Sequence, residues 1–261
     1  MTYSYFIIDD CWSIGRDNKS ATLLPDPSAF PKGIGAFIRD IHSLGFKFGI
    51  YTDRGTLTCQ RRPGSLDHEK LDAKTFASWG VDYLKEDSCF ADQTQSVALA
   101  EYGKMRDGLN ATNRPIFFAL CGWRRYFAYS GQSLANSWRV APDNVNWDAV
   151  YVSARALEDL VEWAGPGGWN DGDLLLGSDS RVPVHLTPRQ SRCQFSIWCV
   201  AQSALIISGL GALDKDSFDW QTYSNTEALR VSQTLGFPPG RVLYSTCWSC
   251  FFCNIGTSFL A

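Results

Sequence analysis

Val81-Asp82-Tyr83-Leu84-Lys85-Glu86-Asp87-Ser88-Cys89 reads as a short buried strand that runs straight into charge. Side chains alternate along a strand, so Lys85 and Asp87 share one face. The same arrangement recurs along the chain. Residues 5–8 form a β-rich run ending at Asp9-Asp10, and residues 46–51 one ending at Thr52-Asp53-Arg54-Gly55. Residues 115–120 end at Cys121-Gly122-Trp123, and Trp138-Arg139 closes another short strand just before Pro142-Asp143. Helical spacing fills the intervals, at residues 35–44, 68–79 (stopped at Gly80), 96–109, 151–163 and 188–201. A glycine-dense loop over residues 165–173 surrounds a further short strand, and residues 204–208 read as a last one.

Strands alternating with helices predict an α/β fold with a parallel sheet. Polar residues gathered after strand upon strand favour a TIM (β/α)8-type barrel. An open doubly wound sheet would concentrate its site at one switch point, with a glycine-rich phosphate loop that is not found after the first strand. About seven strands are legible against the eight that close such a barrel, so the first strand is expected to precede Met1. Residues 1–240 then form the catalytic barrel. Residues 241–261 read as an aberrant tail or the remnant of a C-terminal domain. Cys247, Cys250 and Cys253 lie in that tail without the His or fourth Cys that a zinc knuckle needs.

Composition narrows the function. The 261 residues are 45% hydrophobic and carry a formal net charge of -3, which gives no long-range attraction to nucleic acid or anionic membrane. No apolar run is long enough to span a bilayer, and no signal peptide is visible after Met1. Nine Cys and the acceptor sequons Asn18-Lys19-Ser20 and Asn110-Ala111-Thr112 nevertheless point to a secreted product. Aromatic residues make up 14% of the chain, with 10 Trp, and weakly favour a carbohydrate site because rings stack on sugar faces as well as filling cores.

Carboxylates are the best candidates for chemistry. Two of them presented from neighbouring strand ends are what breaking a glycosidic bond requires: one meets the anomeric carbon, the other protonates the leaving oxygen. Asp87 is the first, with Lys85 beside it to hold it ionised, or else the two are a structural ion pair. Asp143 is the second; its alternative is a turn-former or helix N-cap, and a proton donor there calls for partial burial. Asp9 and Asp10 have poor β propensity at a strand end, which hydrogen bonds to sugar hydroxyls would explain. Asp171 and Asp173 are turn residues or further hydroxyl acceptors. The three His, at 42, 68 and 185, show no metal-binding spacing, and no GxSxG elbow is present. Cys59 and Cys89 follow two neighbouring strands and could form a bridge.

Taken together, these segments resemble the α-galactosidases and α-N-acetylgalactosaminidases of glycoside hydrolase family 27. The matching pieces are Ile8-Asp9-Asp10-Cys11-Trp12, Lys47-Phe48-Gly49-Ile50-Tyr51-Thr52-Asp53, Trp79-Gly80 through Asp87-Ser88-Cys89, Asn136-Ser137-Trp138-Arg139, residues 164–173 and Ala204-Leu205-Ile206-Ile207-Ser208. The resemblance implies a retaining hydrolase with Asp87 as nucleophile and Asp143 as acid/base. It implies sugar binding by Asp9, Asp10, Tyr51, Lys85, Arg139 and Asp173, with Cys121 and Trp123 beside them, and a Cys59–Cys89 disulfide. It implies no metal or cofactor, a carbohydrate partner, and a secreted, vacuolar or lysosomal location. This sequence departs from the family pattern: the family's Gly-Trp-Asn-Ser-Trp strand and its β-sandwich are missing, Cys11 lacks its upstream partner, and Glu86 replaces a frequent aromatic. Gly122 occupies the place where many members read the sugar's 2-position, which leaves α-N-acetylgalactosaminidase and β-L-arabinopyranosidase as alternatives. A non-catalytic sugar-binding remnant is another.

Overall fold

The computed structural model describes residues 3–208, 214–234 and 238–240. Expectations for residues 241–261, including the three tail cysteines, fall outside the described residues. The chain divides into two compact units.

One unit comprises, among the described residues, 3–122 and 129–139. Its described elements are β1 (Tyr5–Ile7), β2 (Ser13–Arg16), β3 (Leu23–Pro25), α1 (Ile34–Ser43), β4 (Lys47–Asp53), α2 (Glu69–Trp79), β5 (Tyr83–Asp87), α3 (Gln95–Asn110), β6 (Phe117–Leu120) and β7 (Ser137–Arg139), with α4 (Tyr126–Leu134) between the last two. Strands β1, β4, β5, β6 and β7 lie side by side in that order, all parallel, in the strand–helix sequence of the TIM-barrel type. The pairing sets Tyr51 beside Lys85, Asp53 beside Asp87, and Glu86 beside Leu120.

Local chemistry explains the elements. Helix α1 buries Ile34, Ile38 and Ile41, spaced to form one stripe against the sheet. Gly80 ends α2 at φ 93°, a left-handed C-cap that glycine takes without steric cost. Phe48, Ile50 and Leu84 are fully buried, as expected of strands covered on both faces.

Several expectations are corrected. The strand read over residues 81–85 runs instead from Tyr83 to Asp87, so Glu86 and Asp87 are also within the ladder. Residues 13–25 hold an antiparallel β2–β3 pair, and α4 lies between β6 and β7; neither was predicted.

The other unit comprises, among the described residues, 123–128, 140–208, 214–234 and 238–240. It holds α5 (Trp147–Asp159), a 3-10 turn (Val161–Trp163), β8 (Trp169–Asp171), α6 (Pro188–Val200), α7 (Phe218–Tyr223) and α8 (Thr226–Gln233). Helix α5 starts before residue 151 and is capped by the Asn146 side chain, so Asp143 is not its N-cap. Thr187 and Gln190 close a capping box on α6, with Pro188 in its first turn. Residues 204–208 contribute only an isolated parallel bridge, Leu175 to Ile207, in place of the expected strand. Among the described residues no helix is long and apolar enough to cross a membrane.

The loops after β4 and β5 are pressed together through glycine. A Cβ on Gly55 would lie 2.3 Å from the Phe90 carbonyl and 2.7 Å from the Ala91 nitrogen, and backbone cannot yield as a flexible side chain would. Gly55→Ala is therefore expected to lower stability by about 1–3 kcal/mol, the usual cost of overpacking. Urea unfolding monitored by fluorescence would show this as a lower midpoint at unchanged slope.

Candidate active site

The residues around Asp87 come from adjacent strand ends of one unit. Tyr51 and Asp53 on β4 face the same side as Lys85 and Asp87 on β5, as the two-residue period requires. The Asp87 carboxylate is buried. Its Oδ2 accepts the Tyr51 hydroxyl at 2.9 Å, and its Oδ1 accepts the Ser88 N–H at 2.9 Å. Cys121, after β6, adds a side-chain hydrogen bond. Arg139 on β7 donates from Nη1 to the Cys121 sulfur at 3.5 Å. The sequence reading thus named residues that the sheet does bring together.

Lys85 is oriented by Asp9, whose Oδ2 lies 2.7 Å from Nζ, and its ammonium sits 5.2 Å from the Tyr51 ring centroid. Asp9 is exposed. Asp10 is engaged differently. Its Oδ1 accepts the Thr58 hydroxyl at 2.9 Å and its Oδ2 the Gln60 N–H at 2.9 Å, which holds the loop carrying Cys59. Cys59 and Cys89 form a disulfide with Cα atoms 5.1 Å apart, so the loops after β4 and β5 are covalently joined.

Burial governs the electrostatics. It pushes the Asp87 carboxyl above its ordinary range, while Lys85, Cys121, the Ser88 N–H and the Tyr51 hydroxyl all oppose that rise. Lys85 favours the ionised carboxylate, in the direction expected of a neighbouring cation, but desolvation is the larger effect. Burial also works against the Lys85 ammonium, but Cys121, Asp9 and Asp87 lift its proton affinity above the usual value. Tyr51 is raised by burial and by Asp87 and Asp53, so it remains a phenol that donates.

Asp53, not singled out from sequence, has no solvent exposure and is pushed up to about 7, chiefly by burial. The Cys89 and Gly55 N–H groups favour its charged form, and the Asp87 charge disfavours it. Glu86, on the opposite face of β5, is also fully buried and raised well above its ordinary value by burial, then by Asp53 and Glu69. Neither Glu86 oxygen has a hydrogen-bond partner. Ligand atoms of Asp53, Cys59, Asp87 and Cys89 lie within 4.8 Å of one another. The two sulfurs are bonded to each other and offer no thiolate, so the group is not a cation site.

The remaining predicted residues belong to the other unit. Asp143 lies in the loop after β7 and is exposed, against the partial burial expected of it. Its neighbour Asn144 is buried and donates its N–H to Asp173 Oδ2 at 2.7 Å and its Nδ2 to the Gly172 carbonyl at 2.8 Å. Asp173, at φ 80°, accepts the Trp198 indole N–H on its own carbonyl at 2.8 Å. Asp171 Oδ1 takes the Asp173 N–H at 2.7 Å. These acids hold the Asp143 loop; the sequence reading leaves them as turn residues or hydroxyl acceptors. Trp123 takes a positive φ of 57°.

A parallel α/β fold with a lysine and several acids converging at strand ends is the arrangement of a glycoside hydrolase barrel. The family described as Alpha galactosidase A (Melibiase_2) matches residues 1–227. An alpha-galactosidase of Cyamopsis tetragonoloba is 38% identical over 250 residues, covering 94% of this chain and 58% of the relative. A probable alpha-galactosidase of Dictyostelium discoideum is 39% identical over 88% of this chain and 58% of its own. Among solved structures, alpha-galactosidase I of Mortierella vinacea superposes with TM-score 0.83 at 33% identity, covering 93% of this chain and 66% of the other. The Saccharomyces cerevisiae enzyme solved with raffinose gives TM-score 0.81 at 32% identity, covering 91% and 57% respectively. The chain belongs to the melibiase family, glycoside hydrolase family 27. It spans about 58% of the length of these two curated relatives.

Asp53 gives a signed pH prediction. Its folded value near 7 exceeds the model-compound 3.8, so between those values the folded chain holds a proton that the unfolded chain has lost. Its contribution to stability therefore falls as pH rises through that window. Thermal melts from pH 4 to 7 should show a shallower loss of stability with rising pH in Asp53→Asn than in the parent chain. Parallel slopes would contradict the shift.

Proposed function

We propose that this chain is the catalytic part, over residues 1–240, of a retaining α-galactosidase that releases terminal α-linked galactose. The observation that carries the reading is the Asp87 environment, a buried carboxylate held by Tyr51 and the Ser88 N–H beside a Lys85–Asp9 pair, in a chain whose named relatives are α-galactosidases. Raffinose-type galactosides are the substrate class to test first, since raffinose accompanies the yeast relative's structure.

In the proposed reaction Asp87 attacks the anomeric carbon as Asp143 gives its proton to the leaving glycosidic oxygen, breaking the C–O bond. Water then adds to the glycosyl–Asp87 ester, Asp143 takes the water's proton, and Asp87 leaves as a carboxylate. The Tyr51 phenol, Lys85 and the Ser88 N–H all favour the ionised form that must attack. Asp9, Asp10, Lys85, Arg139, Cys121, Trp123 and Asp173 are proposed to line or support the sugar-binding subsite. No step needs a metal or cofactor. Secretion or vacuolar delivery is part of the same reading, supported by the disulfide and by the exposure of both sequon asparagines, Asn18 and Asn110.

Hydrolysis of an aryl α-galactoside tests the activity. Asp87→Asn should abolish turnover. Asp143→Asn should cost about 10²–10⁴-fold, the range of a general acid/base, and less with an activated leaving group. Proton NMR of the first product should show retained α configuration; a β product would rule out the double displacement. Expressed through a eukaryotic secretory pathway, the chain should lose mass on deglycosylation, and Asn18→Gln with Asn110→Gln should remove that change.

A further inference from the structure

The end of β4 grips the two residues that follow Asp87 from both faces of the sheet. Asp53 accepts the Cys89 N–H on Oδ2 at 2.7 Å and the Gly55 N–H on Oδ1 at 2.7 Å. Arg54, one residue on, turns to the other side. Its Nε donates to Ser88 Oγ at 2.8 Å, its Nη1 pairs with Glu101 of α3, and its guanidinium lies 5.4 Å from the Tyr102 ring centroid. The Tyr102 hydroxyl meets the same Ser88 Oγ at 2.9 Å. The Arg54 N–H donates to the Asp87 carbonyl at 3.0 Å. Asp53, Arg54 and Ser88 are each 1% exposed or less.

These contacts converge on one peptide. The Ser88 N–H reaches Asp87 Oδ1 at 2.9 Å, and it does so only while the backbone between residues 87 and 89 keeps its orientation. Ser88 is held through its side chain, Cys89 through its N–H. Two separate oxygens are needed at Asp53, because two N–H groups from two loops arrive there; an amide would offer only one acceptor. A guanidinium likewise supplies a planar fork that a lysine cannot reproduce.

We propose that Asp53 and Arg54 are positioning residues, a two-sided clamp that keeps the Ser88 N–H on the Asp87 carboxylate and so fixes the orientation of that carboxylate for attack. The inference rests on the reading of Asp87 as nucleophile. The groups facing Asp87 are Lys85 on its own strand, Tyr51 and Asp53 from β4, Cys121 after β6, and the Cys59–Cys89 sulfurs. Only the Ser88 N–H among its stabilising partners depends on the clamp. Loosening it removes a donor that favours the charged carboxylate, so Asp87 then holds its proton to higher pH.

Ser88→Ala and Arg54→Lys in the full chain test this, the first leaving the Arg54–Glu101 pair in place should the second fail to fold. With ¹³Cγ-labelled aspartate, the Asp87 resonance is assigned by its loss in Asp87→Asn, and its titration midpoint should move upward in both variants. On an aryl α-galactoside, kcat should fall about tenfold, in line with the cost of a small misplacement, with KM nearly unchanged. The acid limb of kcat/KM should move upward with the NMR midpoint. A merely structural role would lower the melting temperature yet leave the Asp87 midpoint and the acid limb where they were, and that result overturns the clamp. An inactive parent chain would defeat the functional reading instead, and the NMR midpoint would still decide the clamp.

Discussion

The register that sets Asp53 beside Asp87 is the constraint on which the rest depends. Strand side chains alternate with a period of two, so a slip of one residue would turn Lys85 and Asp87 toward the helices and bring Glu86 inward. In the observed register Tyr51, Asp53, Lys85 and Asp87 share a face, and Thr52 and Glu86 pack against the other side. The disulfide and the Asp53 hydrogen bonds then tie the following loops to that register. Pairing and loop geometry support each other.

Crowding acids into a dry place has electrostatic consequences. Asp53, Glu86 and Asp87 are all buried, and burial raises each of them. What separates them is their donors. Asp87 has a cation, a phenol, a thiol and an N–H; Asp53 has two N–H groups; Glu86 has no hydrogen-bond partner on either oxygen. The group with the most donors is the one whose ionised form the proposed chemistry uses, while Glu86, with none, is the best suited to carrying a proton. Lys85 contributes to that balance without dictating it, since its closest partner is Asp9.

Legibility in the sequence followed period and punctuation. Helix α2 was readable because Gly80 stops it, and α1 because three isoleucines recur at helical spacing. Helix α4 was not: its glycine sits where a Cβ would lie 2.2 Å from the Trp138 ring, a tertiary fit with no local signature. Residues 204–208 looked like a strand from apolar composition, yet composition does not supply a ladder partner beyond the single Leu175–Ile207 bridge. Asp53 and Arg54 stood in plain view at a strand end, but nothing linear distinguishes them from ordinary polar punctuation. Their partners, at residues 88, 89 and 101, are remote in sequence.

The alternation of the main parallel strands with α1, α2 and α3, the period that puts Lys85 and Asp87 on one face, and the acids offered at strand ends were determined by the sequence alone, because they follow from side-chain period and local propensity. Tertiary structure decided which of those acids are dry, which oxygens meet which N–H groups, and that Asp10 and Asp173 spend hydrogen bonds holding loops. Desolvation and long-range hydrogen bonding depend on what the fold packs around a residue, and no spacing along the chain encodes that.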